Sequence, residues 1–287
     1  MELSDAGFQA LDPAETAGAA AANARWWTTA SRDYLAEHGA DLGDAELTWG
    51  PEGWRESELG LLGDLDALRA ARDGAGARVL EVGAGAAQGS RWLRAQGVDA
   101  IASDVSPGML ARAAELDTAT GIAVPAVLAD ARDLPFPDAS FDVVFTAYGA
   151  LPFVPDAGRV HAQAARVLRP GGRWVCAVTH PVRWAFPDDP GAAGLTATRS
   201  YFDRAPYVER DAHGQVAYAE FHRTLGDHVR DVAAAGLRLV DLVEPQWPER
   251  RTGTWGGWSA LRGQLLPGTA IFVALKDAPG RDGAPPR

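Results

Sequence analysis

The sequence predicts an α/β fold in which helices wrap a seven-stranded, mostly parallel sheet, and three observations carry that prediction. Short apolar runs of strand length alternate with helix-length segments between Arg78 and Thr179, the order that a parallel sheet with right-handed crossovers requires. The first run, Val79, Leu80 and Val82, enters the glycine-rich turn Gly83-Ala84-Gly85-Ala86-Ala87-Gln88-Gly89, and a helix follows at once. Asp104 and Asp130 stand at the ends of the next two strands, at the carboxyl edge where open α/β sheets receive ligands.

The 287 residues, 47% of them hydrophobic, suffice for one large domain with a full core. A single cysteine, Cys176, allows no internal disulfide framework and no thiolate set for zinc. No metal site is therefore expected, and a reducing cytoplasm is the natural compartment. No apolar run approaches the roughly eighteen residues of a membrane helix, and the N-terminus has neither the basic nor the apolar stretch of a leader. The formal charge is −11, with 38 acidic residues against 27 basic ones. That balance argues against a nucleic-acid partner, which needs Lys and Arg gathered on one face.

Residues 1–74 read as a helical lid. Residues 14–24 combine high helix propensity with little apolar bulk. Trp26, Trp27, Tyr34 and Leu35 continue along one side of a helix, either packing on the sheet or covering the glycine turn. Trp49-Gly50-Pro51-Glu52-Gly53-Trp54 is a turn-rich hinge, after which Leu59, Leu62, Leu65 and Leu68 keep helical spacing up to a break at Gly74-Ala75-Gly76.

Residues 75–180 form the core. Strands are expected at 78–82, 100–103, 126–129, 141–146 and 173–179. Helices are expected after Gly89, from Ser106-Pro107, where serine caps and proline suits the first turn, and from Asp156 to the stop at Pro170-Gly171-Gly172. Residues 181–222, rich in Pro, Gly and aromatics without sustained periodicity, read as a cap inserted after the fifth strand. Residues 223–276 return to the core with a helix at 225–235 and strands at 237–243 and 269–276, paired antiparallel at the sheet edge across a long loop. Residues 277–287 are expected to be a disordered tail.

The glycine turn lets backbone approach a ligand closely, and the amides opening the next helix face whatever the turn holds. A dinucleotide turn reads Gly-x-Gly-x-x-Gly, whereas here the third glycine, Gly89, comes one residue late and Glu81 precedes the turn. Asp104, 21 residues beyond Gly83, is placed to accept hydrogen bonds from ribose hydroxyls, or simply to turn the chain ahead of Ser106-Pro107. Asp130 can accept from an exocyclic amine while the Ala131 amide donates to a purine ring nitrogen; alone, Asp130 is also an ordinary cap.

Glu81-Val82-Gly83-Ala84-Gly85, Asp104, Asp130-Ala131-x-x-Leu134-Pro135-Phe136, Ser140-Phe141-Asp142-Val143-Val144 and Val167-Leu168-Arg169-Pro170-Gly171-Gly172 follow one another in this order. Together they resemble the class I S-adenosylmethionine-dependent methyltransferases, in particular the small-molecule group that includes the ubiquinone and menaquinone C-methyltransferases, over residues 78–180. The resemblance implies a Rossmann-like sheet, S-adenosyl-L-methionine as cofactor, and in-line methyl transfer to O, N or C of a small molecule. It implies that the loop of Gly83, Ala84 and Gly85 passes under the methionine part, that Asp104 holds the ribose and that Asp130 and Ala131 contact adenine, with Glu81 and Val105 completing the set. Ala87 departs from the pattern, because the loop often has glycine there. A nicotinamide dehydrogenase shares the turn and Asp104 but gives no account of the Asp130 block or of Pro170-Gly171-Gly172.

Two histidines are candidates for a general base, His180 after the fifth strand and His222 before the helix that follows the insertion. Imidazole titrates near neutrality, and each is equally readable as a hydrogen-bonded structural histidine. Tyr148, just beyond the fourth strand, sits where the family places groups near the transferred methyl, or serves as a wall. His161, mid-helix, is expected to face solvent. The fourth strand ends Phe145-Thr146-Ala147-Tyr148-Gly149 rather than in Asn/Asp-Pro-Pro-Tyr/Phe, which sets aside that route to amino methylation of DNA bases or protein glutamine.

The methyl acceptor is expected to be aromatic or apolar, under a roof drawn from Trp184, Phe186, Tyr201, Phe202, Tyr207 and Tyr218 of the insertion. Trp26, Trp27 and Trp54 would join it, with Trp247, Trp255 and Trp258 extending it, although all of these also serve to pack loops. A cofactor-binding protein without transferase activity stays open as a different class, as does a tRNA or protein methyltransferase.

Overall fold

The computed structural model describes residues 3–70 and 77–278. A first strand, β1 (Leu3–Phe8), leads into α1 (Pro13–Leu42), a single 30-residue helix. Its start is a capping box: Asp12 accepts from the Glu15 amide at 2.8 Å and Glu15 accepts from the Asp12 amide at 3.0 Å, so two otherwise orphaned donors are satisfied.

The leucine spacing after the hinge yields two short helices rather than one, α2 (Glu56–Leu59) and α3 (Leu65–Ala70). The buried Glu56 carboxylate accepts from the Leu61 and Leu62 amides at 3.0 and 2.7 Å, capturing donors that a continuing helix would use, and both leucines turn into the core. The Gly74-Ala75-Gly76 break lies outside the described residues.

Strand and helix then alternate as β2 (Arg78–Val82), α4 (Gln88–Ala95), β3 (Asp99–Asp104), α5 (Pro107–Thr120), β4 (Ala126–Leu128), β5 (Phe141–Ala147), α6 (Ala157–Val167) and β6 (Leu168–Thr179). Helix α6 stops at Val167, and Pro170-Gly171-Gly172 belongs to the start of β6. After the insertion, which carries β7 (Tyr207–Asp211) and β8 (Val216–Glu220), come α7 (Leu225–Ala234), β9 (Leu237–Val243), α8 (Ala260–Gly263) and β10 (Thr269–Lys276). The seven-stranded sheet has the order β4-β3-β2-β5-β6-β10-β9, in which β10 runs antiparallel to both β6 and β9. The expected edge hairpin is therefore present, with β10 seated inside it.

Both faces of this sheet are covered, which is why its strands read as near-continuous apolar runs. Side chains alternate between layers: Val144, Trp174 and Cys176 pack with α6 and α7, while Val143, Phe145 and Val175 pack with Trp49, Leu62, Trp92 and Leu93. His161 does not face solvent. It is buried under α6, where its Nδ1 accepts from the Trp174 indole at 3.0 Å, supplying the partner that a buried N–H needs.

The amino end of the sheet is tied by Asp142, whose carboxylate takes both contacts from the Arg169 guanidinium at 2.7 Å and accepts from the Arg78 amide at 2.8 Å. Three strands are thereby joined at one carboxylate. The Phe141-Asp142 and Arg169-Pro170-Gly171-Gly172 motifs are structural ties far along the strands from the carboxyl edge.

The insertion holds more regular structure than its composition suggests. Strands β7 and β8 pair antiparallel, and β1 adds to β7 to give a second, three-stranded sheet. These strands are short, and the partner of β1 lies beyond the whole of the core in sequence, so no local pattern announces them. Val208 and Ala219 pack against Ala19 of α1. Asn23 of α1 completes the join: its Nδ2 donates to Phe153 O and Ala219 O, and its Oδ1 accepts from the Ala219 amide, all at 2.8 Å.

Candidate cofactor and acceptor site

At the carboxyl edge of β2, β3, β4 and β5 lies a cavity whose floor is the glycine turn. The turn folds as it does because two backbones pass without side chains between them. A Cβ on Gly83 would stand 2.7 Å from the Ala150 amide nitrogen, and Gly83 also has a left-handed φ of 64°. A Cβ on Gly149 would run into the Gly83 carbonyl. The late third glycine has its own reason. A Cβ on Gly89 would stand 2.7 Å from Glu81 Oε1, so Gly89 makes room for that carboxylate. Ala87, the departure from the family pattern, is left-handed with φ 58°, as are Tyr148 at 62° and Ala150 at 53°. Such conformations cost L-residues about 1–2 kcal/mol each, and all three residues adjoin or line the cavity.

Asp104 is 8% exposed and joins the turn to the next helix. Its Oδ2 accepts from the Gly85 amide and its Oδ1 from the Ser106 amide, both at 2.8 Å. A carboxylate has about four acceptor positions, so each oxygen keeps one for a further donor. Burial, outweighing these backbone bonds, pushes the Asp104 carboxyl up to about 6. Glu81 accepts from the Ser90 amide in the first turn of α4 at 2.7 Å, and burial pushes its carboxyl up to about 7. Both are therefore poised to ionise fully when a cation or several donors arrive.

Asp130 also lines the cavity, and Arg132 holds it through Nη2 at 2.7 Å and Nε at 3.0 Å. Burial opposes ionisation there, but the hydrogen bonds and charge of Arg132 outweigh it and the carboxyl stays below its usual range. Behind the floor, the fully buried Arg91 donates to Ala86 O, Asp44 O and Ala113 O and pairs with Asp117 at 2.7 Å. It locks the glycine turn to α5 and to the segment after α1. Neither arginine is marked by a motif; each reads in sequence as an ordinary helix or loop residue.

The opposite wall is the inner face of α1, where Ala20, Asn23, Trp27 and Tyr34 line the cavity at helical spacing. Trp27 meets Tyr34 edge to face at 5.2 Å and Phe153 at 5.4 Å. Of the expected roof, Trp27 alone lines the cavity. Trp26 and Tyr218 pack behind Phe153, and Trp184 serves the small sheet against Phe8. Trp54 and Trp247 donate to backbone carbonyls of residues 246 and 251. Phe153 was hidden because it sits in a short turn with no periodic neighbours.

Glu81, Gly83, Ala84, Gly85, Asp104, Val105, Asp130, Ala131 and Tyr148 are all brought to this cavity. The histidines are not. His180 accepts at Nδ1 from the Val182 amide at 3.1 Å and donates from Nε2 to Glu244 at 2.7 Å, so no lone pair remains for a substrate proton. His222 donates from Nε2 to Tyr201 O at 2.7 Å, with its ring packed against Trp184 and Tyr201. The Tyr148 hydroxyl, too, is engaged, donating to Gly268 O at 2.9 Å beside Thr269 Oγ1 at 3.0 Å.

A doubly wound sheet with a glycine turn and acidic strand ends around one cleft defines a nucleoside-cofactor-binding α/β protein. Residues 80–176 match the methyltransferase domain family. A demethylmenaquinone methyltransferase of Mycobacterium sp. (strain KMS) is 30% identical over 244 residues, 82% of this chain and 88% of the relative. Among solved structures, an S-adenosylmethionine-dependent methyltransferase from Mesorhizobium loti aligns with a TM-score of 0.54 at 27% identity, covering 74% of this chain and all of the other. The 1,6-didemethyltoxoflavin-N1-methyltransferase of Burkholderia thailandensis shares the fold, with a TM-score of 0.57 at 20% identity over 96% of this chain and 100% of that one. The chain belongs to the class I S-adenosylmethionine-dependent methyltransferases, and S-adenosyl-L-methionine is its cofactor. The donor set suits that molecule: Asp104 has two open acceptor positions for a vicinal diol, and carboxylates stand ready for an ammonium.

Proposed function

We propose that this methyltransferase methylates a neutral, aromatic or apolar small molecule seated against α1, with the cofactor lying along the glycine turn. The observation that carries the proposal is the composition of the cavity. Glu46, Glu81, Asp104 and Asp130 line it, whereas no Lys, Arg or His does among the described residues. An anionic acceptor would find no basic side chain to pair with there; a neutral ring meets Trp27, Tyr34 and Phe153. The relative named for demethylmenaquinone, a ring quinone, supports a flat acceptor.

When bound, the cofactor supplies a sulfonium-activated methyl. The chain's own task is to place the acceptor, and positioning supplies up to about 7–11 kcal/mol. In this reading Asp104 accepts from the ribose hydroxyls, Asp130 and the Ala131 amide meet the adenine, Glu81 faces the amino-acid end, and Val105 and Tyr148 form walls. His180 and His222 stand outside the cavity lining, so in this reading no imidazole base acts at the reacting atoms. A cytoplasmic setting is part of the proposal and is supported by the chain's single cysteine, which allows no internal disulfide framework; no helix among the described residues is long and apolar enough to cross a membrane.

A homocysteine-release screen tests the proposal, with neutral fused-ring acceptors, their carboxylated analogues and tRNA side by side. Turnover with a neutral ring and none with its carboxylated analogue is expected. Turnover confined to anionic acceptors or tRNA, or a held cofactor without any turnover, would overturn it.

A further inference from the structure

We infer that the Tyr34 hydroxyl is the donor that orients the acceptor, selecting planar neutral molecules with a carbonyl oxygen or ring nitrogen at their edge. This deepens the acceptor reading above and rests on it.

Most polar side chains of the cavity are already committed. Asn23 spends its whole amide joining α1 to Phe153 and Ala219. Tyr148 spends its hydroxyl on Gly268 and Thr269. The hydroxyl of Thr48 is sealed from access. Two side chains differ: Gln88, at the start of α4 on the floor side, and Tyr34, on the α1 wall. Tyr34 lines the cavity, and among the described residues its hydroxyl has no hydrogen-bond partner, yet it is not among the sealed atoms.

The ring that carries this hydroxyl is held on both sides. Trp27 stands edge-on at 5.2 Å and His38 at 4.8 Å. His38 in turn stacks on Trp255 at 4.3 Å with only 13° between the planes. One turn further along, Asp41 pairs with Arg251 through both guanidinium nitrogens. The C-terminal half of α1 is thus clamped to the loop between β9 and β10, and the phenol is presented by a pre-organised ring rather than a mobile one. Burial pushes the phenol up to about 12, so at neutral pH it is a donor and not a base. A donor at the edge of an aromatic slot discriminates strongly, because an acceptor lacking the matching lone pair leaves the hydroxyl unpaired.

The test uses S-adenosylhomocysteine-loaded protein and two probes of like shape, 1,4-naphthoquinone with edge carbonyls and naphthalene without them, titrated by ligand-observed NMR. The wild type is expected to prefer the quinone about tenfold, one hydrogen bond's worth. Tyr34→Phe should lose that preference while its S-adenosylhomocysteine affinity stays within twofold, and Trp27→Leu should weaken both probes alike. A preference retained in Tyr34→Phe, or none in the wild type, overturns the assignment of Tyr34 and leaves the acceptor wall standing. Failure of both probes to bind the loaded wild type overturns the wall and the Tyr34 assignment together. A Tyr34→Phe variant that loses cofactor affinity instead would move Tyr34 to the cofactor side and overturn its acceptor role.

Discussion

The floor of the cavity and the α1 wall across from it use their residues in different ways. The floor is local: residues 81 to 89 and the two strand ends supply it, and its carboxylates are already held by backbone amides of Gly85, Ser106 and Ser90. The wall is assembled from Trp27 and Tyr34 of α1 and from Phe153, more than a hundred residues further along the chain, and touches its neighbours mainly ring against ring. The floor presents carboxylates and backbone amides at fixed places. The wall presents rings and the Tyr34 hydroxyl.

The comparison can be broken first at the two positions with the largest expected effects. Gly83→Ala places a methyl 2.7 Å from a backbone nitrogen in a left-handed residue and should cost about 2–4 kcal/mol in urea unfolding, with cofactor binding lost. Trp27→Leu should leave cofactor affinity within about threefold yet lower kcat/KM for the acceptor roughly 30–100-fold, the share of an aromatic contact worth about 2–3 kcal/mol. If Trp27→Leu instead weakened the cofactor as Gly83→Ala does, floor and wall would be one site.

A smaller effect sharpens the floor. Glu81 and Asp104 have folded-state pKa values raised to about 7 and about 6. A cationic ligand binds their ionised forms, so cofactor affinity should rise as pH goes from about 5 to 8, by roughly tenfold through Asp104 and up to about a hundredfold through Glu81, with protons released. The sign for the ligand-free protein is opposite. A raised carboxyl contributes stability that is present below its unfolded value of 4.5 and lost as pH rises through about 7. Glu81→Gln should therefore raise the melting temperature of the ligand-free protein at pH 8 while weakening cofactor binding. Pressure of that kind, stability given up for a charged site, has no counterpart on the wall. Smallest is Ala87→Gly: relief of about 1–2 kcal/mol of left-handed strain is offset by loss of a buried methyl worth about 0.8 kcal/mol, leaving a net gain near or below 1 kcal/mol in chemical denaturation.

Most of the sheet was legible, because a strand buried on both faces announces itself as an apolar run and a helix start as Ser106-Pro107. The floor is legible in part: Asp104 and Asp130 stand at strand ends that the sequence marks, whereas the crowding that demands Gly83 comes from Gly149 and Ala150, distant in the chain. What escaped notice depended mostly on distant partners. The β1–β7 pairing, Asn23 joining α1 to β8 and Arg91 behind the turn are ordinary residue types made consequential by tertiary packing; Arg132 on Asp130 is local but carries no motif. The aromatic roof was misplaced because bulky rings mark burial, and burial in the small sheet or the β9–β10 loop looks the same in sequence as a ligand wall. Histidine chemistry alone points His180 and His222 toward the site; in the structure both rings are hydrogen-bonded and neither lines the cavity.

The central claim is that the floor binds the cofactor through Asp104 and the wall does not. Calorimetric titration of S-adenosylhomocysteine into Asp104→Ala, with folding checked by circular dichroism, tests it most directly. The account predicts a loss of about 1.5–3 kcal/mol, some tenfold to a hundredfold or more in Kd, against a change within threefold for Trp27→Leu. Wild-type affinity in a folded Asp104→Ala protein would contradict it.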